Sequence, residues 1–193
     1  MKRFALLLAA TAFALPAFAA PKKIDASKSY IRFVSKQMNV PVEGKFKTID
    51  GTVDFDPKKP EATKAEFEVD LGSIDMGTPE GETEARRPLW FNVPQFPKGK
   101  FSVSSVKSTG PNKFEAAGAL TIKGITKPVT LELELNGFGP DAYGGFRAGF
   151  SAKTEISRKA YGVDIDMPMD GGGVVVGDKI NVELEIEAVL RTA

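Results

Sequence analysis

The side chains that carry out most enzymatic chemistry are scarce in this sequence. Its 193 residues include no histidine and no cysteine. The chain therefore has no disulfide, no thiol nucleophile, and no imidazole for a Ser-His-Asp triad or for zinc or haem ligation. An enzyme built on this chain would depend on tyrosine, lysine or carboxylates. We expect no catalytic residue, no bound metal and no cofactor.

Residues 164–170 form the densest group of possible metal ligands. They place Met167 and Met169 among three aspartates, and methionine thioethers prefer Cu(I). Two methionines are a sparse ligand set, so we interpret the segment as an ordinary acidic loop. The glycines at 171–173 follow it without the Lys-Ser/Thr pair of a phosphate-binding loop, and we expect a flexible turn there.

Paired carboxylates could catalyse glycoside hydrolysis if two of them faced each other across a cleft. The candidate acids lie in segments where apolar and polar residues alternate, which puts the acids on the solvent side. They are Glu132, Glu134, Glu183, Glu185 and Glu187. We expect them to provide solubility and to protect strand edges.

Three arginines lie in the two segments that break this alternation. Arg86 and Arg87 fall in 79–91, where we expect a short helix, and Arg158 falls in 157–162, where we expect a single turn. A guanidinium offers a planar fork of donors that suits a phosphate or a carboxylate. The alternative is that each arginine is solvated or paired with a nearby glutamate.

Elsewhere the chain alternates with a period of two, which is typical of half-buried strands. The segments are 29–36, 44–56, 64–71, 100–107, 113–123, 127–136, 146–153 and 179–190. Turn-forming glycine, proline and asparagine separate them. We predict one all-β domain of eight antiparallel strands, either a closed barrel or a two-sheet sandwich. An eight-stranded barrel is filled by its own side chains or holds one small ligand.

The first nineteen residues are typical of an export signal. Lys2 and Arg3 precede an apolar run from Phe4 to Phe18, and Ala17-Phe18-Ala19 fits a cleavage site. The run is short for a membrane span. We therefore expect cleavage after Ala19, a mature protein of residues 20–193, a periplasmic location and no stable membrane insertion.

The overall charge excludes one class of partner. With 26 Lys and Arg against 25 Asp and Glu, the net charge is +1. Such a balance provides no general electrostatic attraction to nucleic acid. We expect no nucleic-acid partner, whereas a homodimer is possible because symmetric dimers are common.

Several motifs, in order, resemble the YceI-like family of periplasmic polyisoprenoid- and lipid-binding proteins. The strongest is GALTIKGITKPVTL at 118–131, similar to the family's G-x-L-T-I-K-G-V-T-x-P-V-x-L. Supporting segments are 44–46, 51–55, 73–77, 91–97, 157–162 and 176–180. The sequence departs from the family at Lys28 and Gln37, where many members carry histidines.

The resemblance implies a lipocalin-like eight-stranded barrel whose apolar tunnel holds a polyisoprenoid, an isoprenoid quinone, a prenyl phosphate or a fatty-acid-like lipid. From the alternation and this resemblance we predict the tunnel lining Phe33, Phe67, Phe101, Leu120, Leu131, Leu133, Phe146 and Phe150, with Trp90 as ligand contact or plug. Arg86, Arg87 and Arg158 are the predicted head-group contacts. The expected function is that of a carrier without catalysis. The alternatives are a stress-related structural protein with a filled barrel and an enzyme acting on lipid-like substrates.

Overall fold

The computed structural model describes residues 22–142 and 144–191, so the predicted signal segment lies outside the described residues. Within them, eleven antiparallel strands form one sheet. They are β1 (Lys22–Lys23), β2 (Tyr30–Gln37), β3 (Val40–Phe46), β4 (Ile49–Asp54), β5 (Lys64–Asp70), β6 (Ile74–Asp75), β7 (Lys98–Gly110), β8 (Lys113–Ile122), β9 (Ile125–Pro140), β10 (Phe146–Ser157) and β11 (Lys179–Arg191). Helix α1 spans Pro79–Ala85, and short 3₁₀ turns occur at Pro60–Ala62, Leu71–Ser73 and Lys159–Tyr161.

The all-β class and the short helical segments are confirmed, but the predicted count of eight strands is wrong. Strands β1 and β6 have two residues each, too few to produce an alternation. The predicted strand 44–56 is in fact two strands, because Lys47 and Thr48 turn aside to bond Ser73. The Lys47 N–H donates to the Ser73 carbonyl (3.3 Å), and the Thr48 N–H donates to Ser73 Oγ (3.0 Å).

The sheet order is β1-β4-β5-β7-β8-β9-β10-β11-β2-β3-β6. Because β3 and β4 are nearly continuous in the chain yet lie towards opposite edges, the sheet must curl. Residues 22–25 join its two sides at one end. Lys22 and Lys23 pair with β4, Ile24 bridges Ala188 on β11, and the Asp25 N–H donates to the Glu187 carbonyl at 2.7 Å. The result is a barrel with few open edges.

Side chains fill the end of the barrel that residues 22–25 close. The core there includes Ile24, Phe114, Leu135, Ala148 and Phe150, all of them buried. On the outside, strand acids pair with neighbouring cations, as Glu132 does with Lys153 at 3.0 Å. At the opposite end of the barrel, the side chains leave a cavity.

Candidate ligand-binding cavity

A cavity of about 620 Å³ lies in the other half of the barrel, within the range of roughly 300–1,000 Å³ common for ligand pockets. Strands on all sides of the barrel contribute to its wall. The segment that contains α1 and the segment that follows β10 cover it. The apolar wall includes Ile31, Phe33, Val42, Phe46, Phe67, Val69, Leu120, Ile122, Val129, Leu131, Ile156, Ile180, Val182 and Leu184.

Three phenylalanines of the wall lie against glycines on neighbouring strands. The pairs are Phe33 with Gly44, Phe67 with Gly51, and Phe101 with Gly118. A Cβ atom added at any of these glycines would come within 2.4 to 2.7 Å of the ring. The absent side chain therefore leaves room for the ring to cross the backbone, and the glycine fixes where the ring lies in the wall.

We expect Gly118→Ala to lower the free energy of unfolding by about 1–3 kcal/mol, the usual cost of overpacking. The added Cβ would lie 2.3 Å from the Ser102 carbonyl oxygen and 2.7 Å from Phe101 Cζ, so backbone and ring must both shift. Urea denaturation at equilibrium measures the change. The control is Gly137→Ala, since no atom lies within 4 Å of that Cβ position. Equal stability of the two variants would contradict the close packing.

The structure brings together six of the nine predicted tunnel residues. The six that line the cavity are Phe33, Phe67, Trp90, Phe101, Leu120 and Leu131. Leu133, Phe146 and Phe150 lie outside the lining, which corrects their predicted placement. The ring of Phe150 packs edge-on against Phe55 at 5.1 Å, that of Phe146 lies 6.2 Å from Phe138, and Leu133 packs on the filled core.

Residues 23–188 match the family model described as a YceI-like domain. The chain belongs to the YceI-like family. It is 37% identical to Protein YceI of Salmonella agona (strain SL483) over 167 residues, 85% of either chain. It is similar in structure to Burkholderia cenocepacia BcnA, with a TM-score of 0.76, 30% identity, and coverage of 86% of this chain and 99% of BcnA.

The fold also occurs in a polyisoprenoid binding domain from Saccharophagus degradans. That domain superposes with a TM-score of 0.62 at 13% identity, covering 88% of this chain and 98% of the other. At this level of identity the likeness concerns the fold alone. The YceI-like barrel is therefore common to proteins of very different sequence.

None of the three predicted head-group arginines offers a free guanidinium. Arg86 donates to the carbonyls of Gly72 (3.0 Å) and Ile74 (3.1 Å), and Arg87 pairs with Glu84 at 2.9 Å on the surface. Neither of them lines the cavity. Arg158 does line it, but its donors also have protein partners.

Arg158 holds the second covering segment in place. Its side chain is only 5% exposed. Its Nε donates to the Gly177 carbonyl (2.9 Å) and Nη1 to that of Val163 (2.6 Å). Its Nη2 donates to the carbonyls of Ile165 and Val176, each at 2.8 Å. One guanidinium thus ties the two ends of the loop 163–177 together.

Sequence reasoning missed the part of the lining that this loop contributes. Tyr161, Val163, Ile165 and Met167 line the cavity and alternate with Gly162, Asp164 and Asp166. The period of two that predicted the strands therefore continues into the loop, and this alternation is the sequence signal from which these lining residues could have been predicted. The interpretation of residues 164–170 as an ordinary acidic loop omits this apolar side.

Two positions at which many YceI-like proteins carry histidine lie in different places. Gln37 lines the cavity, whereas Lys28 pairs with Glu187 at 3.1 Å towards the filled end. Only the substitution at Gln37 therefore changes the polar lining.

Lys100 is among the residues that line the cavity, but its side chain is 61% exposed and its ammonium group is paired with a carboxylate. Its Nζ lies 2.7 Å from Glu68 Oε1, and Lys98 binds the other carboxylate oxygen. Hydrogen bonds from Lys100 and Lys98 lower the pKa of Glu68 to about 2. Glu68 is therefore ionised near neutral pH.

Residues 22–142 and 144–191 contain no cluster of three or more histidine, cysteine, aspartate or glutamate side chains arranged to hold a metal ion. In the same part of the chain, no helix is long and apolar enough to cross a membrane.

Proposed function

We propose that this protein is an exported, periplasmic carrier or buffer that sequesters a long-chain amphiphile and performs no catalysis. The ligand classes are polyisoprenoids, isoprenoid quinones and fatty-acid-like lipids. The observation that carries the proposal is the apolar cavity of about 620 Å³ inside a YceI-like barrel. The relation of the fold to a domain named for polyisoprenoid binding supports the choice of ligand.

Burial of the ligand tail supplies the affinity in this proposal. Each methylene transferred from water to an apolar wall contributes about 0.8 kcal/mol. Leu89 and Met167 belong to the lining yet are 67% and 40% exposed, so the cavity reaches solvent between the two covering segments. The tail enters there and lies along the apolar wall.

The alternative of a filled barrel acting through its surface requires a solid interior, and the cavity argues against it. The alternative of an enzyme requires a free acid or base inside. The carboxylate of Glu84, which lines the cavity, instead accepts bonds from Arg87 and from Trp90 Nε1 (3.0 Å). Among the described residues we therefore favour binding over catalysis.

Native mass spectrometry of the protein purified from its host's periplasm without detergent tests the proposal. We expect a chain that begins at Ala20, with a discrete added mass that solvent extracts as a prenyl or acyl compound. The same spectrum distinguishes monomer from homodimer. A bare mass, combined with no uptake of added prenyl lipids, would overturn the carrier function in favour of a protein that acts through its surface.

A further inference from the structure

One buried polar group of the cavity wall, the hydroxyl of Tyr161, has no hydrogen-bond partner among the described residues. Tyr161 ends the 3₁₀ turn Lys159–Tyr161 and is 2% exposed. Burial raises the pKa of its phenol, so the hydroxyl stays protonated and can donate a hydrogen bond. Tyr161 also lines the cavity.

The Tyr161 hydroxyl makes no hydrogen bond to any residue within 22–142 or 144–191. Yet every fully enclosed side-chain nitrogen or oxygen atom in that part of the chain has a partner. The hydroxyl is therefore not fully enclosed, and Tyr161 is one of the residues that line the cavity. By contrast, the Thr154 hydroxyl of the same wall donates to the Thr130 carbonyl at 2.9 Å.

Charged groups of the wall are all engaged. Arg158 is bound to four carbonyls, Lys100 is paired with Glu68, and Glu84 is held by Arg87 and Trp90. Among the described residues of the wall, a phosphate or carboxylate would find no guanidinium or ammonium donor without a protein partner, and burial of an anion that forms no direct ion pair is strongly disfavoured. A neutral oxygen acceptor has no such cost.

We propose that the Tyr161 hydroxyl donates a hydrogen bond to an uncharged oxygen of the ligand, such as a quinone carbonyl or an alcohol. The residue thereby sets specificity for neutral lipids over anionic ones. This inference rests on the proposed lipid-binding function. It narrows the ligand classes to those with an uncharged head and excludes prenyl phosphates and ionised fatty acids as preferred ligands.

The test uses delipidated mature protein and three probes with the same prenyl chain: geranylgeraniol, geranylgeranyl phosphate and the parent hydrocarbon. We expect the wild type to bind the alcohol more tightly than the phosphate. Tyr161→Phe should weaken binding of the alcohol by about 3- to 10-fold, which corresponds to one hydrogen bond, and leave the hydrocarbon unchanged. Tyr30→Phe is the matched control, because Tyr30 is 44% exposed and lies outside the cavity lining.

Each contrary result has its own meaning. The inference is overturned if Tyr161→Phe leaves the affinity for the alcohol unchanged, or if it lowers the affinity for the hydrocarbon by the same factor. It is also overturned if the wild type binds the phosphate more tightly than the alcohol. Failure of the wild type to bind any of the three probes would instead overturn the proposed function. An unchanged melting temperature in Tyr161→Phe establishes that the fold is intact, as expected for a hydroxyl without a protein partner.

Discussion

Replacement of Arg158 by leucine is expected to lower the free energy of unfolding by about 3–5 kcal/mol. The buried guanidinium satisfies four backbone carbonyls on both sides of the loop 163–177. Leucine fills part of the volume but offers no donor, and the enclosed carbonyls lose partners that water replaces only in part. Urea denaturation gives the total change, and amide hydrogen exchange should report lost protection in the residues of the loop.

Arg87→Leu is the matched control. Its side chain is 65% exposed and pairs with Glu84, so we expect a change within about 0.5 kcal/mol. Arg158→Lys keeps the charge, but a lysine side chain cannot reach four acceptors as the planar guanidinium does. We expect its free energy of unfolding to lie between those of Arg158→Leu and Arg87→Leu. If Arg158→Leu were as stable as Arg87→Leu, the loop would be held by its apolar contacts and not by the guanidinium.

The arginines also mark a limit of sequence reasoning. The residue type and the irregular setting predicted a head-group contact for Arg158, and the structure places the residue in the cavity lining. They could not indicate whether its donors were free, because its acceptors are backbone carbonyls of residues up to 19 positions away. Carbonyls are present at every residue and leave no signal in the sequence.

The alternation predicted the all-β class and the inward face of the longer strands, but it carries no information about the position of a side chain along the barrel axis. Phe101 and Phe150 both face inward, yet one lines the cavity and the other packs in the filled end. The position of a side chain along the barrel axis depends on strand register and on where the chain crosses from β3 to β4. Those features arise from bonds such as that from Thr48 to Ser73, which join residues distant in sequence.

Val182→Phe is expected to weaken binding of a long-chain prenyl ligand by roughly 30- to 150-fold. Val182 is the fourth residue of β11 and lines the cavity, paired across the sheet with Phe33. A phenyl ring in that space displaces about three ligand methylenes, at about 0.8 kcal/mol each. Trp90, the single tryptophan of the chain, also lines the cavity, so its fluorescence can follow the titration.

Two controls accompany this substitution: the same substitution at an exposed position, and a ligand with a shorter prenyl chain. Val40→Phe adds the same ring at a site that is 62% exposed and outside the lining, and should bind like the wild type. Val182→Phe should reduce the affinity for a prenyl probe shortened by one isoprene unit less than it reduces the affinity for the long probe. The shorter tail no longer needs the space that the new ring occupies. Equal losses for both probe lengths would mean that the ring distorts the barrel instead of filling the cavity. Wild-type affinity for the long probe in a folded Val182→Phe would mean that the tail lies elsewhere, since tail and ring cannot share the same volume.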